Sequence, residues 1–473
     1  MIVMPMADDE GDENFSYESI VGIRHYVTED IEGIKGEIKE QIADFIVQEI
    51  STDKDVVRTT GGSTRSAADW KPNRGSRNYT RFVLKKFGFD TIQAIEQIAR
   101  YLGLPSSKFA FAGIKDNQAI TAQAVTVEGD YWRELKAAAG YFQSFRIEEV
   151  GYSASPLKTG DLWGNNFLIR IRNVDLEPAA LESRVGEVVS ALEAKGGFLN
   201  YFGLQRFGTH RPNSQWIGKG LIMEDYEQAI YELLVPSFPR EMPDAIAARK
   251  LYDETRDPKQ MLDLISDSLF YEKIALAYLV EHPGDFKGAV LALPATIVSL
   301  YAYAYQSFLF NEAVSMRIER LGPDLTTPMI GDSVTLLDMR HGQPTRVRYT
   351  VDDANQESLA EYIKAGKAAI MAPIMGSRVG VNKGPFFSIY QELFKREGIE
   401  KRDFVLEDED LAFNLRGVFR PIAVYPRNLR VLEIGEDDLN PGKSVVRFVF
   451  DLPKGTYATS FLREIMKVDN QYL

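Results

Sequence analysis

The spacing of apolar residues changes repeatedly along this chain, and each change marks a strand or a helix. Phe45 to Ile50 and Thr80 to Lys85 read as strands, separated by a Gly/Ser/Arg-rich stretch, Gly61 to Asn78, whose composition predicts a mobile loop. From Thr91 the period becomes helical: Ile92, Ile95, Ile98, Ala99 and Leu102 share one face, Thr91 is the expected N-cap, and Gly103 the stop. Phe109 and Phe111 enter a glycine-containing turn, and Ile120 to Val127 returns as a strand. Asp116 is thereby left on a loop between two strands, where a scaffold can hold a reactive group. A long helix carries Tyr301, Tyr305, Phe308, Leu309, Ala313 and Met316 and ends at Gly322-Pro323; Arg447 to Leu452 is a last strand, followed by a helix from about Ser460. Strands and helices alternate irregularly over the first 200 residues, which predicts an α+β fold rather than a βαβ repeat.

One stretch, Gly288 to Asn311, has no charged residue and is long enough to span a bilayer. Pro294, Gln306, Asn311 and the row Tyr301, Tyr303, Tyr305 make poor lipid-facing material, so the expectation is a buried helix and no membrane association. The first thirteen residues are acidic and lack the basic and apolar regions of a secretory signal, which predicts a cytoplasmic protein.

With 473 residues the chain exceeds one ordinary core, and two parts are expected. Residues 223–424, acidic in patches as at Glu407 to Asp410, read as a domain inserted between 1–222 and 425–473. The absence of cysteine excludes disulfides, thiolate nucleophiles and cysteine-ligated metals, and the four histidines lie too far apart in sequence to suggest a shared metal. A histidine-built metal site is not expected.

A net charge of −13 argues against a polyanionic partner until its distribution is read. Residues 54–86 carry nine Lys and Arg against two acids, and residues 195–222 carry Lys195, Arg206, Arg211 and Lys219 with no acid at all. Taken alone, each cluster is compatible with a solvated basic face; their coincidence with the motifs below favours a polyanionic partner.

Four ordered segments carry chemistry-bearing residues. They are Lys39-Glu-Gln-Ile-Ala-Asp44-Phe45, Phe111-Ala-Gly113-Ile-Lys115-Asp116-Asn-Gln-Ala119-Ile-Thr121-Ala-Gln123, Asn200-Tyr201-Phe202-Gly203-Leu-Gln205-Arg206-Phe207-Gly208, and Leu452-Pro-Lys-Gly455-Thr-Tyr457-Ala458-Thr459-Ser-Phe-Leu-Arg463-Glu464. Lesser ones are Leu157 to Phe167 and Ser307 to Asn311. A Gly-x-Lys-Asp by itself is an ordinary surface turn. The ordered set resembles the TruD family of tRNA pseudouridine synthases over nearly the whole chain.

That resemblance implies a pseudouridine-synthase-like catalytic domain with a mainly antiparallel sheet and flanking helices, plus an inserted α/β domain. It implies isomerisation of a tRNA uridine, at position 13 in the D arm, without a nucleotide cofactor. Asp116 takes the nucleophile's role, and Lys39 is the cation that keeps it ionised. Phe45, Phe202 and Tyr457 line the base pocket, Tyr457 as the stacking platform, where bacterial members carry Phe. Asn200 offers its amide to the uracil or to the loop around it. Arg206, Arg211, Lys219, Arg77 and Arg81 are the expected contacts to RNA phosphates. Two rivals remain at this point: a non-catalytic RNA-binding protein of the same fold, and a retaining glycosidase, which needs a second carboxylate about 5 Å from the first.

Overall fold

The computed structural model describes residues 16–60, 78–338, 342–406, 410–411 and 413–468. The Arg-rich loop around Arg77, the acidic N-terminus and most of the Glu407–Asp410 patch lie outside these residues.

Six strands come first: β1 (Phe45–Ile50), β2 (Tyr79–Phe87), β3 (Phe109–Phe111), β4 (Ile120–Glu128), β5 (Phe145–Ser153) and β6 (Gly164–Val174). A two-residue strand, β7 (Phe198–Leu199), precedes a mostly helical stretch running to Leu321. Then come β8 (Ser333–Leu337), β9 (Pro344–Thr350), β10 (Ala368–Ile374) and β11 (Val418–Pro421), which form a small sheet in the order β11-β10-β8-β9. Next, β12 (Ala423–Val424) pairs with β7. The chain finally re-enters the first sheet as β13 (Arg427–Glu436) and β14 (Ser444–Pro453).

The main sheet runs β13-β14-β6-β1-β4-β2-β5, with β3 also on β4. Its pairings are antiparallel except for β1 with β4 at the centre. Parallel neighbours begin at the same end, so the segments that lead into them meet there. Lys39 lies six residues before β1 and Asp116 four before β4.

Val47, Thr121 and Lys86 are register partners across β1, β4 and β2, and therefore stand on one face. Alternation along the strands adds Phe45, Glu49, Gln123, Leu84 and Phe82 to that face. Two apolar clusters cover it. One joins Phe45, Val47 and Phe167 to Phe198, Phe310 and Phe461; the other joins Phe82, Leu84 and Val125 to the helix Thr91–Leu102. Between them lies a strip of buried polar side chains, Glu49, Lys86, Thr121 and Gln123. Such residues are rarely left inside a protein without partners, and for Glu49, Lys86 and Gln123 partners lie on the loop that carries Asp116, while the Thr121 hydroxyl has none among the described residues.

Several local expectations need correction. Asp90, not Thr91, caps the first long helix, its carboxylate accepting the N–H groups of Ile92 and Gln93 at 2.8 and 3.0 Å. Thr91 is thereby freed to turn its hydroxyl inward, while Ile92 is exposed. The uncharged run is two helices, Phe286–Ala292 and Ala295–Leu321, bent by 109° at Leu293-Pro294 because proline cannot continue the first. Among the described residues no single helix is long and apolar enough to cross a membrane, although this bent pair passes by length and composition. The second of the two is buried continuously from Ala304 to Ile318.

Candidate active site

Asp116 sits on the crossing loop between β3 and β4, held from both sides. Its Oδ2 accepts the Lys39 ammonium at 2.8 Å, and its Oδ1 accepts the Gln118 N–H at 2.8 Å, an Asx turn that fixes the carboxylate. The Asp116 side chain is 24% exposed and that of Lys39 15%, so the pair is sheltered yet reachable. Lys39 adopts φ +62, a left-handed conformation that costs a non-glycine residue about 1 kcal/mol or more. Two contacts offset that strain: the carboxylate, and the Phe45 ring, whose centroid is 4.6 Å from the ammonium. Asp44, fully buried, fixes the intervening turn by accepting the Gln41 N–H and bonding the Arg172 guanidinium.

The buried polar strip grips the same loop from the sheet side. Lys86 donates to the carbonyls of Phe89 at 2.9 Å, Lys115 at 3.2 Å and Asp116 at 3.4 Å. Gln123 donates to the Gly113 carbonyl at 3.0 Å, and the Thr91 hydroxyl meets the Lys115 N–H at 3.3 Å. Lys115 itself turns down to Glu49 at 3.1 Å in an ion pair buried at both ends, and Glu49 also accepts the Ala124 N–H at 3.2 Å. The loop is thus held by several bonds from beneath, while Asp116 itself stands half-buried among the exposed Ile114, Asn117 and Gln118. Lys86 and Glu49 were not singled out from the sequence, where a lysine and a glutamate in strands look like ordinary exposed residues.

A second group forms around Phe202 and Tyr457. Their rings are 6.3 Å apart and nearly perpendicular, with Phe310 5.6 Å from Phe202. A methyl on Gly203 would crowd the Thr459 hydroxyl at 3.2 Å, while at 3.7 Å from the Tyr457 ring it would make only ordinary contact. Asn200 does not turn its amide outward. Its Nδ2 donates to the Pro421 carbonyl at 2.9 Å, and its Oδ1 accepts Arg420 at 2.7 Å. The second of the two roles foreseen for Asn200, holding the surrounding loop, is the one this geometry serves.

Arg420, on β11, was missed because a lone arginine in a strand of another sheet carries no mark in the sequence. It donates to the Asn200 carbonyl at 3.0 Å and the Gly455 carbonyl at 2.6 Å, and its guanidinium lies 4.1 Å from the Phe202 ring centroid. It therefore ties together the turns that carry Phe202 and Tyr457. The Tyr457 turn connects to the Asp116 loop through Gly160: the Lys454 ammonium donates to the Gly160 carbonyl at 2.7 Å, and the Gly160 N–H donates to the Ala112 carbonyl at 2.8 Å.

Three of the expected phosphate contacts are engaged inside the protein. Arg211 is 12% exposed and donates to the carbonyls of Pro236 and Glu232 at 2.9 and 2.7 Å, with burial pushing its pKa down to about 10. Lys219 pairs at 3.0 Å with the buried Glu397. Arg81 is half-buried on β2, where burial lowers its pKa against the opposing pull of Glu49, Asp53, Asp55 and Glu149. Charge clustering along the sequence did not reveal that folding would set acids and carbonyls against these cations. Arg206 remains half-buried, with its Nε 3.2 Å from the Ser307 hydroxyl.

Among the described residues no group of three His, Cys, Asp or Glu is arranged to hold a metal ion. A cavity of about 760 Å³ lies among the helices Tyr226–Leu234, Pro243–Thr255 and Phe270–Glu281 and contains none of the residues above.

Comparison with known proteins follows the same outline. The family profile described as tRNA pseudouridine synthase D (TruD) matches residues 20–465. The chain is 30% identical over 454 residues to a Methanosarcina acetivorans protein named "Probable tRNA pseudouridine synthase D", covering 96% of this chain and 97% of that one. A Thermococcus onnurineus protein of the same name is 35% identical over 439 residues, covering 92% and 95%. The crystal structure of the Methanosarcina mazei protein described as tRNA pseudouridine synthase D superposes with a TM-score of 0.78 at 29% identity, covering 96% of this chain and 98% of the other.

Proposed function

The chain belongs to the TruD family of tRNA pseudouridine synthases, which are isomerases, and from that premise we propose that Asp116 is the nucleophile. The observation that carries this reading is the 2.8 Å pairing of Asp116 with Lys39 on a loop braced from beneath. Pseudouridine formation breaks the bond between uracil N1 and ribose C1′, turns the base, and joins C1′ to C5. A carboxylate can attack C1′, or assist formation of a glycal-like intermediate, and can take part in removing the proton from C5. Lys39 holds that carboxylate in place through a charge-assisted bond at 2.8 Å. Every group invoked belongs to this chain or its RNA.

The target base leaves its stack to reach the carboxylate. Tyr457 is its platform, Phe202 sets the angle of that ring, and Phe45 closes the pocket behind Lys39. The substrate in this reading is a cytoplasmic tRNA, and the reacting uridine is position 13 of the D arm. We read residues 223–424 as an insertion between two parts of the catalytic domain. Every main-sheet strand falling outside those limits supports that division. The RNA then lies in the cleft between the two parts.

The test is to incubate the protein with unmodified tRNA transcripts and map pseudouridine by chemical labelling. Wild type should modify one D-arm uridine, and Asp116→Asn should bind the same tRNA yet yield no product. An unchanged yield from Asp116→Asn would exclude this mechanism. A folded wild type inactive on every tRNA would favour the RNA-binding reading.

A further inference from the structure

We propose that Arg206 and Arg420 together bind the RNA phosphate adjoining the flipped nucleotide, an inference that builds on the base-platform role given above to Tyr457. The two arginines come from distant parts of the chain and converge on one helix. Arg206 bonds the Ser307 hydroxyl at 3.2 Å, and the Arg420 guanidinium lies 5.6 Å from the Phe310 ring centroid. Ser307 and Phe310 are three apart on the helix Ala295–Leu321, which makes them neighbours on one buried face, with Cβ atoms about 5–6 Å from each other. One anion can therefore reach both cations.

Arg420 borders the aromatic group, covering Phe202 at 4.1 Å while Phe202 meets Tyr457 at 6.3 Å, and Arg206 is close enough to Tyr457 to interact with it electrostatically. A base stacked on Tyr457 brings its own backbone to this edge.

Their partners distinguish these arginines from the other buried ones. Arg172, Arg249, Arg317 and Arg463 each pair with a carboxylate. Among the described residues no carboxylate meets Arg206 or Arg420; hydroxyl, carbonyl and amide oxygens and aromatic rings do. Arg420 uses three of its five N–H donors and Arg206 one, which leaves two and four for a ligand. Burial lowers both pKa values, Arg420 to about 10 with Arg206 adding to the depression, so both remain cations at neutral pH. Two sheltered like charges that meet no carboxylate among the described residues carry an electrostatic cost that a phosphodiester relieves, and a guanidinium fork matches its oxygens.

The test uses tRNA in which each phosphate within two nucleotides of the mapped uridine is replaced, one at a time, by an uncharged methylphosphonate. With wild type, one position should raise KM about tenfold or more, as expected for losing a charge-assisted pair. Arg206→Gln should raise KM similarly on ordinary tRNA and show no further loss at that one position. Arg206→Lys should recover part of the loss, and Arg420→Lys should give a smaller KM increase that is likewise non-additive there. Losses that add at every position, or no sensitive position with active wild type, overturn the proposal and leave the assignment of Asp116 intact. No product from wild type on unmodified tRNA would instead overturn the functional reading itself. Sensitivity at a phosphate that persists unchanged in both arginine variants would assign that contact elsewhere and also overturn the proposal.

Discussion

The side chain of Asn311 bonds both backbone polar groups of Phe202: its Oδ1 accepts the N–H, and its Nδ2 donates to the carbonyl, each at 2.9 Å. Asn311 is fully buried on the long helix and also donates to the Val21 carbonyl at 2.9 Å. A single amide thus fixes the height at which an aromatic ring stands beside Tyr457.

Replacing Asn311 with Leu removes three bonds from buried or half-buried backbone groups at similar volume. At about 1 kcal/mol or more for each group left unpaired, the loss should reach about 3 kcal/mol in denaturant unfolding. Single-turnover pseudouridine formation should slow as Phe202 loses its register. Unfolding unchanged within 0.5 kcal/mol on such a scale would show that the bonds are replaced by water.

Lys39 combines a strained backbone with a charge on the proposed nucleophile. Lys39→Met should slow the chemical step about a hundredfold, the scale of losing one preorganised electrostatic partner, while tRNA affinity changes little. Lys39→Arg keeps the charge and should retain more of the rate. Stopped single-turnover reactions at saturating enzyme separate these effects; a loss confined to affinity would make Lys39 an RNA contact instead.

Lys86 makes the site sensitive to alkaline pH. Burial lowers its pKa to about 8 despite the nearby charges of Asp90 and Asp116, with Lys115 adding to the depression. As pH rises through 8 the ammonium loses a proton, one of its donors is lost, and activity should fall. The folding linkage has the opposite sign. Between about pH 8 and the ordinary lysine value of 10.5 the folded chain binds fewer protons here than the unfolded chain. Stability attributable to this group therefore rises across the window in which activity falls. In Lys86→Met both trends near pH 8 should disappear, as rate–pH profiles and unfolding measured at pH 7 to 10 will show.

Arg211 tests the distinction between a charge cluster in sequence and one in space. Arg211→Met removes two bonds to carbonyls and the more distant of the two arginines that face Glu241 and Glu272, Arg249 remaining at 2.8 Å from each, so it should destabilise the fold by about 1–3 kcal/mol. The slope of log Kd against log salt for tRNA should stay as in wild type, because no phosphate contact is lost. A slope shallower by about one would restore Arg211 to the RNA interface.

Local pattern determined much of this protein. The strand Phe45–Ile50, the αL stop at Gly103, the helix end at Gly322 and the loop position of Asp116 follow from side-chain period and from glycine and proline, which act over a few residues. The ordered motifs also named both members of the Lys39–Asp116 pair, because a resemblance preserves order even when it carries no distances. Tertiary structure alone decided what each charge does. The parallel pairing of β1 with β4 brought Lys39 to Asp116; register across β1, β4 and β2 turned Glu49 and Lys86 inward beneath the loop. A strand of a second sheet delivered Arg420 to Asn200 and Phe202, while folding gave Arg211, Lys219 and Arg81 to internal partners or opposing acids. Electrostatic and hydrogen-bonding roles depend on separation in space, and in a chain whose main sheet closes only with its last two strands, that separation is independent of distance along the sequence.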